Sequence, residues 1–250
     1  MDGDVVNRAR HAGRYVAPKM AALIDNLLPD KDTTNIRREE ANFLHRACRV
    51  WGVNEFVKPI RDHSSVKDTE LQKDINNFNA LVRTNAVLLW HLHRCTQDAH
   101  YASSFLAVTS RDRIQSQIRN FSNINRLSFA TMGNFFLENM LRDLVADLGG
   151  KPKKNFHDLS EQAVCLAHLA NPEEHSDGLR VTSKLRNTFH NRGIHKGMDE
   201  SITVKGITYD FKHNDIVKGH ASWDYLCHGF ACALSTVLEL VEKARPSHAT

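Results

Sequence analysis

The sequence predicts a mainly α-helical protein, a helical bundle with one small β-hairpin before the C-terminal helix. Two observations predict this fold class. Apolar residues recur at three- and four-residue intervals along most of the 250-residue chain, which is the spacing of one helix face. Residues 201–211 instead alternate between apolar and polar, which is typical of half-buried strands. Apolar residues make up 41% and charged residues 25% of the chain, which excludes a disordered or fibrous class.

The N-terminal half contains several helical segments. A basic stretch leads into an amphipathic segment over residues 5–28, and a second amphipathic segment covers residues 34–52. Residues 53–68 predict a short helix and a loop, with Pro59 as a break. Residues 69–98 then predict a long helix, because their apolar residues keep a helical period throughout.

The clearest helix of the chain covers residues 127–148, where two apolar rows run side by side at four-residue intervals. Gly149 and the glycine after it end this helix, and a basic loop follows. Asp158, with Glu161 three residues later, predicts an N-cap and capping box for a helix near residues 159–170.

The last third of the chain encloses the hairpin between two helices. A helix is predicted over residues 179–192, followed by the hairpin at residues 201–211 and a final helix over residues 222–243. A lone hairpin is marginally stable, so we expect it to pack on the helices.

Composition also bears on location and partners. The net charge is +4, and the excess of Lys and Arg lies in the N-terminal half. The five cysteines include no Cys-x-x-Cys pair, which favours a reducing, cytoplasmic location over a disulfide framework. No apolar run approaches the about 18 residues that span a bilayer, and the N-terminus does not resemble a signal peptide. We therefore expect a cytoplasmic protein with no membrane partner.

The densest polar cluster lies at the end of the segment 179–192. In a helix, Arg186 and His190 lie one turn apart on one face, with Asn187 beside them, and Arg192 and His195 follow. A guanidinium can hold a phosphate and stabilise a pentacoordinate transition state. An imidazole can exchange a proton with a ribose 2′-hydroxyl or a departing 5′-oxygen. The alternative interpretation is a helix C-terminus whose cations simply suit the helix dipole.

The stretch from Arg186 to His195 resembles the signature helix of the HEPN superfamily, whose name stands for higher eukaryotes and prokaryotes nucleotide-binding. The resemblance covers about residues 105–243. It implies a HEPN-like helical domain over residues 105–250, with the hairpin at 201–211, after an N-terminal helical region over residues 1–104 of unknown role.

The resemblance implies a metal-independent endoribonuclease that needs no cofactor and acts as a homodimer in a toxin–antitoxin or antiviral defence system. Its partners would be RNA, a second copy of the chain, and an antitoxin or defence-system protein. Arg186 matches the family's Arg, Asn187 its polar neighbour and His190 its His. The family usually has about four to six residues between Arg and His. Here three residues lie between Arg186 and His190, and eight lie between Arg186 and His195. His195 is therefore a second candidate for the family's His. The alternative is a non-catalytic HEPN-like module for RNA binding, protein interaction or dimerisation.

Basic residues outside the motif are candidates for RNA contact. Arg119 and Arg126 belong to a basic run with Phe121 interleaved, and Lys153 and Lys154 lie in the loop after the helix 127–148. Together with Arg192 they predict a track for the RNA backbone. The alternative for the basic run, a solvated helix face with core aromatics, is the simpler interpretation. No metal site is predicted.

Overall fold

The computed structural model describes residues 40–67, 69–191, 194–215 and 222–244. About 76% of the structure is helical, and a two-stranded antiparallel hairpin precedes the C-terminal helix. The predicted fold class, mainly α with one hairpin, is confirmed. The amphipathic segment predicted over residues 5–28 lies outside the described residues.

The elements follow the order predicted from the periodicity, with changed boundaries and one additional helix, Ala99–Leu106, that was not predicted. They are α1 (Glu40–Gly52), α2 (Asn54–Asp62), a 3-10 turn (Ser64–Val66), α3 (Glu70–Gln97), α4 (Ala99–Leu106), α5 (Arg111–Asp147), α6 (Phe156–Leu166), α7 (Pro172–His190), β1 (Glu200–Val204), β2 (Ile207–Phe211) and α8 (Trp223–Ala244).

The break predicted at Pro59 is wrong, because Pro59 lies inside α2. A proline in a helix cannot donate to the carbonyl four residues earlier, which here belongs to Glu55. Both residues are exposed. Water can therefore satisfy that carbonyl, while Val57 and Ile60 are buried on the opposite face.

Helix α6 begins three residues earlier than predicted, because Asn155 is its N-cap rather than Asp158. The Asn155 Oδ1 accepts from the Asp158 amide at 2.8 Å, and the Asn155 side-chain amide donates to the Asp158 carboxylate at 2.6 Å. Asp158 thus occupies the third helical position, where a carboxylate suits the positive end of the helix dipole.

Helix α5 is 37 residues long, and the predicted helix at 127–148 is its C-terminal part. Its end is a Schellman motif, as the two glycines suggested. The Gly149 amide donates to the Ala146 carbonyl at 3.0 Å and the Gly150 amide to the Val145 carbonyl at 2.8 Å. Gly149 has φ +80°, a left-handed conformation that costs glycine little.

The chain divides into two compact units. Unit 1 contains the described residues 40–54 and 82–126, and unit 2 contains the others. Helices α3 and α5 each contribute residues to both units. This division by compactness differs from the boundary near residue 104 that the family resemblance predicts, and that boundary stays a prediction.

In unit 2, helices α7 and α8 approach closely because small residues lie at their interface. A Cβ atom on Gly178 would lie 3.5 Å from the Cβ of Cys232, and one on Gly229 would lie 3.3 Å from a methyl group of Val181. Helix α5 also contacts α7 within this unit: the Asn134 side-chain amide donates to the carbonyl of Thr182 in α7 at 3.1 Å. These contacts hold α7, which carries the candidate site, in a fixed position.

The hairpin packs on α7 as expected. Its turn residues Lys205 and Gly206 have φ +46° and +79°, the pattern of the tight turns that match strand twist. Ile202 pairs with Tyr209 across the strands, and both side chains are buried. At the open end, the Glu200 carboxylate forms ion pairs with two α7 side chains, Arg180 and Lys184.

Helix α8 is long and apolar enough, by length and composition, to cross a membrane, and 61% of its apolar stretch is buried within the protein. Such burial is typical of a core helix, so this composition is weak support for a membrane span.

Candidate functional site

Three of the predicted motif residues, Arg186, Asn187 and His190, lie on the last two turns of α7. This helix begins with Pro172, whose fixed φ suits the first helical position. One face of α7 is buried, and its members are Gly178, Leu179, Val181, Thr182, Leu185 and Thr188. Burial of that face leaves Arg186, Asn187 and His190 on the half-buried and exposed remainder of the helix.

Arg186 is held by its neighbour in the chain. Its Nε and Nη2 both donate to the Asn187 Oδ1, at 3.3 and 3.2 Å. Arg186 is half-buried and Asn187 is exposed. The guanidinium therefore has one edge occupied by an amide oxygen, while its remaining N–H groups are available to an anion.

His190 is the last residue of α7 and is exposed. The next residue, Asn191, closes the helix by donating from its side chain to the Asn187 carbonyl at 3.0 Å. Among the residues described, no hydrogen bond joins Arg186 and His190. Residues four apart on a helix have Cβ atoms about 5–6 Å apart, so a phosphate could contact both side chains.

His195, the second candidate for the family's His, is only 6% exposed. Its Nε2 donates to the Met198 carbonyl at 2.9 Å, and its ring packs against Phe211 with centroids 5.4 Å apart. The His195 backbone also pairs with the segment after β2 through Asn214 and Asp215. The structure thus places His195 as an anchor for the loop between α7 and β1, and does not bring it to the surface with His190.

Gly197 shows why this anchor is tight. A Cβ atom there would lie 2.8 Å from the His195 ring, closer than two such atoms can approach. The pair His195 and Gly197 is thus a structural feature that the sequence analysis missed.

The side chains predicted to contact RNA differ in their exposure and in their hydrogen bonds. Arg119 is exposed on α5. Arg126 is half-buried, its Nη2 donates to the Asn123 Oδ1 at 3.2 Å, and burial, together with nearby Arg46, lowers its pKa. The Arg126 side chain therefore contributes to packing as well as to the positive charge of α5. Arg192 lies outside the described part of the chain.

Lys153 and Lys154 are exposed on a loop that α5 holds in place. The Arg142 guanidinium donates to the carbonyls of Lys153 and Lys154, at 3.0 and 2.9 Å, and to the Glu138 carboxylate at 2.6 Å. Gln162 closes the loop from α6 by accepting from the Lys153 amide at 3.0 Å. The pair Glu138 and Arg142 is four residues apart on one helix, whereas the bonds from Arg142 to the loop are contacts between segments that sequence spacing does not indicate.

A group of four charged residues joins α7 to β1: Asp177, Arg180 and Lys184 precede the motif on α7, and Glu200 lies on β1. Arg180 bonds Asp177 at 3.0 Å, and both Arg180 and Lys184 pair with Glu200. Burial, and then the adjacent Arg180, lowers the pKa of Lys184, whereas burial raises the pKa of Asp177. We assign this group to anchoring the hairpin, since all four charges have partners.

A cavity of about 220 Å³ lies at the opposite end of α7, lined by residues that include His175, Thr236 and Glu239. His175 and Arg186 are separated by about 16 Å along the helix axis, so the cavity does not belong to the motif. Within the described ranges, no group of three or more His, Cys, Asp or Glu residues could hold a metal ion.

Comparisons with protein-family models, with curated proteins and with solved structures find no match for this chain. The functional assignment therefore depends on the chemistry of the residues described above, and the HEPN resemblance stays a prediction.

Proposed function

We propose that this protein is a metal-independent endoribonuclease of HEPN type. One observation carries the proposal: a guanidinium whose orientation is set by the Asn187 side chain lies one helical turn from the exposed imidazole of His190. RNA supplies its own nucleophile, the 2′-hydroxyl, so these two groups provide what strand cleavage requires.

The proposed reaction is an attack of the ribose 2′-oxygen on the adjacent phosphorus. His190 accepts the 2′-hydroxyl proton, the new O2′–P bond forms, and the P–O5′ bond breaks. The departing 5′-oxygen takes a proton from the imidazolium or from water. Arg186 binds the scissile phosphate and offsets the extra negative charge of the pentacoordinate transition state, while Asn187 holds Arg186 in position.

His195 has no part in this chemistry, because its ring is buried and its Nε2 is bonded to the Met198 carbonyl. The resemblance further suggests that the enzyme is a cytoplasmic homodimer with two motifs facing one cleft, and that an antitoxin or another defence-system protein restrains it.

The test is cleavage of a single-stranded RNA by the full-length protein. We expect 2′,3′-cyclic phosphate ends, no effect of EDTA, and a loss of at least about 100-fold in rate for His190→Ala. Arg186→Lys keeps the charge but loses the guanidinium geometry, and it should also slow cleavage. His157→Ala removes an exposed imidazole elsewhere in unit 2 and should leave the rate unchanged. Full activity of His190→Ala, or loss of activity in EDTA, contradicts the proposal.

The alternative is a non-catalytic module that binds RNA or a protein partner. It is favoured by the Arg186 hydrogen bonds, which go to Asn187 and not to His190. RNA binding without any cleavage products would support this second function and reject the first.

A further inference from the structure

Three aromatic rings of unit 1 lie in nearly parallel planes. His91 comes from α3, and Tyr101 and Phe105 come from α4. The angles between their planes are 4° to 10°, and their centroids are 5.1 to 6.2 Å apart. We call these three rings the ring platform.

The ring platform keeps part of its faces uncovered by its own members. Parallel rings in van der Waals contact lie about 3.5 Å apart, so centroids more than about 5 Å apart must be displaced sideways. Phe105 is 40% exposed, and His91 and Tyr101 are half-buried. The exposed Phe105 ring is therefore the part of the platform on which a further flat ring can stack.

The platform is held before any ligand binds. The Tyr101 hydroxyl is hydrogen-bonded to the Nδ1 of His91, and Trp90 packs edge-on to the His91 ring at 5.0 Å. Asp98 caps α4 by accepting from the Tyr101 amide at 3.0 Å. Little conformational entropy would then be lost when a ligand stacks on these rings.

One arginine lies against the ring platform, and arginine dominates the charge of unit 1. The Arg94 guanidinium lies over the Tyr101 ring at 5.4 Å. The described residues of unit 1 contain eight Arg and no Lys, against three Asp or Glu. Arg is the cation that both binds phosphate with two parallel hydrogen bonds and stacks on flat rings. This charge complements a polyanion that carries flat bases.

We propose that the ring platform stacks a base of single-stranded RNA while the half-buried Arg94 and the exposed arginines of unit 1 contact its phosphates. The choice of RNA rests on the proposed function, whereas the stacking site rests on the rings themselves. Single strands are preferred because a duplex hides the faces of its bases.

The experiment measures binding of a labelled single-stranded RNA of about 12 nucleotides, and of the same RNA as a duplex, by fluorescence anisotropy. Full-length protein carrying His190→Ala is used, so that the RNA stays intact. On this background we expect Phe105→Ala to weaken single-strand binding about tenfold or more. Phe105→Leu keeps an apolar side chain without a π-face and should weaken it similarly, whereas Phe105→Tyr should bind normally.

Phe56→Ala is the matched control, since Phe56 is 39% exposed and lies in unit 2. It should leave binding unchanged. The proposal is overturned if Phe105→Ala and Phe105→Leu bind as tightly as Phe56→Ala, or if the duplex binds as well as the single strand. If the wild-type protein cleaves no RNA but the Phe105 variants weaken RNA binding, the nuclease is rejected and the ring platform is supported. If the wild-type protein cleaves RNA but the Phe105 variants bind RNA normally, the nuclease is supported and the ring platform is rejected.

Discussion

Asp98 lies at the N-terminus of α4, where its carboxylate accepts hydrogen bonds from the amides of His100 and Tyr101 at 2.9 and 3.0 Å. The bond from the Tyr101 amide, followed by that from His100 and by nearby positive charge, lowers the pKa of Asp98. A carboxylate at this position satisfies helix amides that otherwise have no partner within the helix.

This lowered pKa predicts a pH dependence of stability. Because the folded state binds the Asp98 proton more weakly than the unfolded state, Asp98 contributes stability that is complete above about pH 4 and is lost as the pH falls through the folded-state pKa. Asp98→Asn keeps a good N-cap but does not titrate. In urea unfolding, the difference in free energy of unfolding between wild type and Asp98→Asn should shrink as the pH falls below about 4. A difference that stays constant with pH contradicts this role.

At the scale of whole elements, the fit of α5 against α8 depends on one glycine. A Cβ atom on Gly133 would lie 2.5 Å from the Cζ of Phe230. That ring is fully buried and packs edge-on to Phe129, with centroids 5.2 Å apart, and to Phe78, at 5.5 Å. The Phe230 ring is therefore confined by two neighbouring rings.

We expect Gly133→Ala to destabilise the protein by about 1–3 kcal/mol, because a methyl group overpacks this contact and outweighs the better helix propensity of alanine. Gly52→Ala is the control, since nothing lies within 4 Å of a Cβ atom at that helix position. It should be neutral or slightly stabilising. Thermal and urea unfolding of both variants measure the difference, and equal stabilities would show that α5 and α8 pack less tightly than described.

At the scale of the whole molecule, charge is divided between the two units. The described part of unit 1 has eight Arg against three acidic residues, whereas that of unit 2 has 15 Lys or Arg against 19 Asp or Glu. A chain with a net charge of only +4 therefore presents one strongly positive unit. Such a unit favours a polyanionic partner whose binding weakens steeply with salt.

Salt dependence separates arginines that contact phosphate from those used in packing. Arg119 is exposed, so Arg119→Gln should make the salt dependence shallower. The negative slope of log affinity against log salt should decrease in magnitude by about 0.7 for single-stranded RNA. Arg126→Gln should change stability more than slope, because Arg126 is half-buried and bonded to Asn123. RNA titrations at several salt concentrations test both variants. Equal slopes for wild type and Arg119→Gln would remove Arg119 from the RNA contacts.

The elements of this fold could be predicted because they depend on local pattern. The period of apolar residues predicted α3 and α8 within two residues at each end, and the alternation at 201–211 predicted the hairpin. The left-handed end of α5 followed from Gly149 itself. These features depend only on the conformational preferences of nearby residues and on the regular spacing of apolar residues along the face of each element that is buried. The position of Arg186 and His190 on one late helix follows from the same rule.

Tertiary structure alone decided which polar side chains are buried and which distant groups meet. His190 and His195 are five residues apart in the sequence, yet one is exposed and the other is buried, with its ring bonded to the Met198 carbonyl and packed against Phe211. Arg142 reaches carbonyls 11 and 12 residues away, and the ring platform joins two helices. Such contacts depend on how elements pack against one another, and a local period carries no information about the partner across an interface.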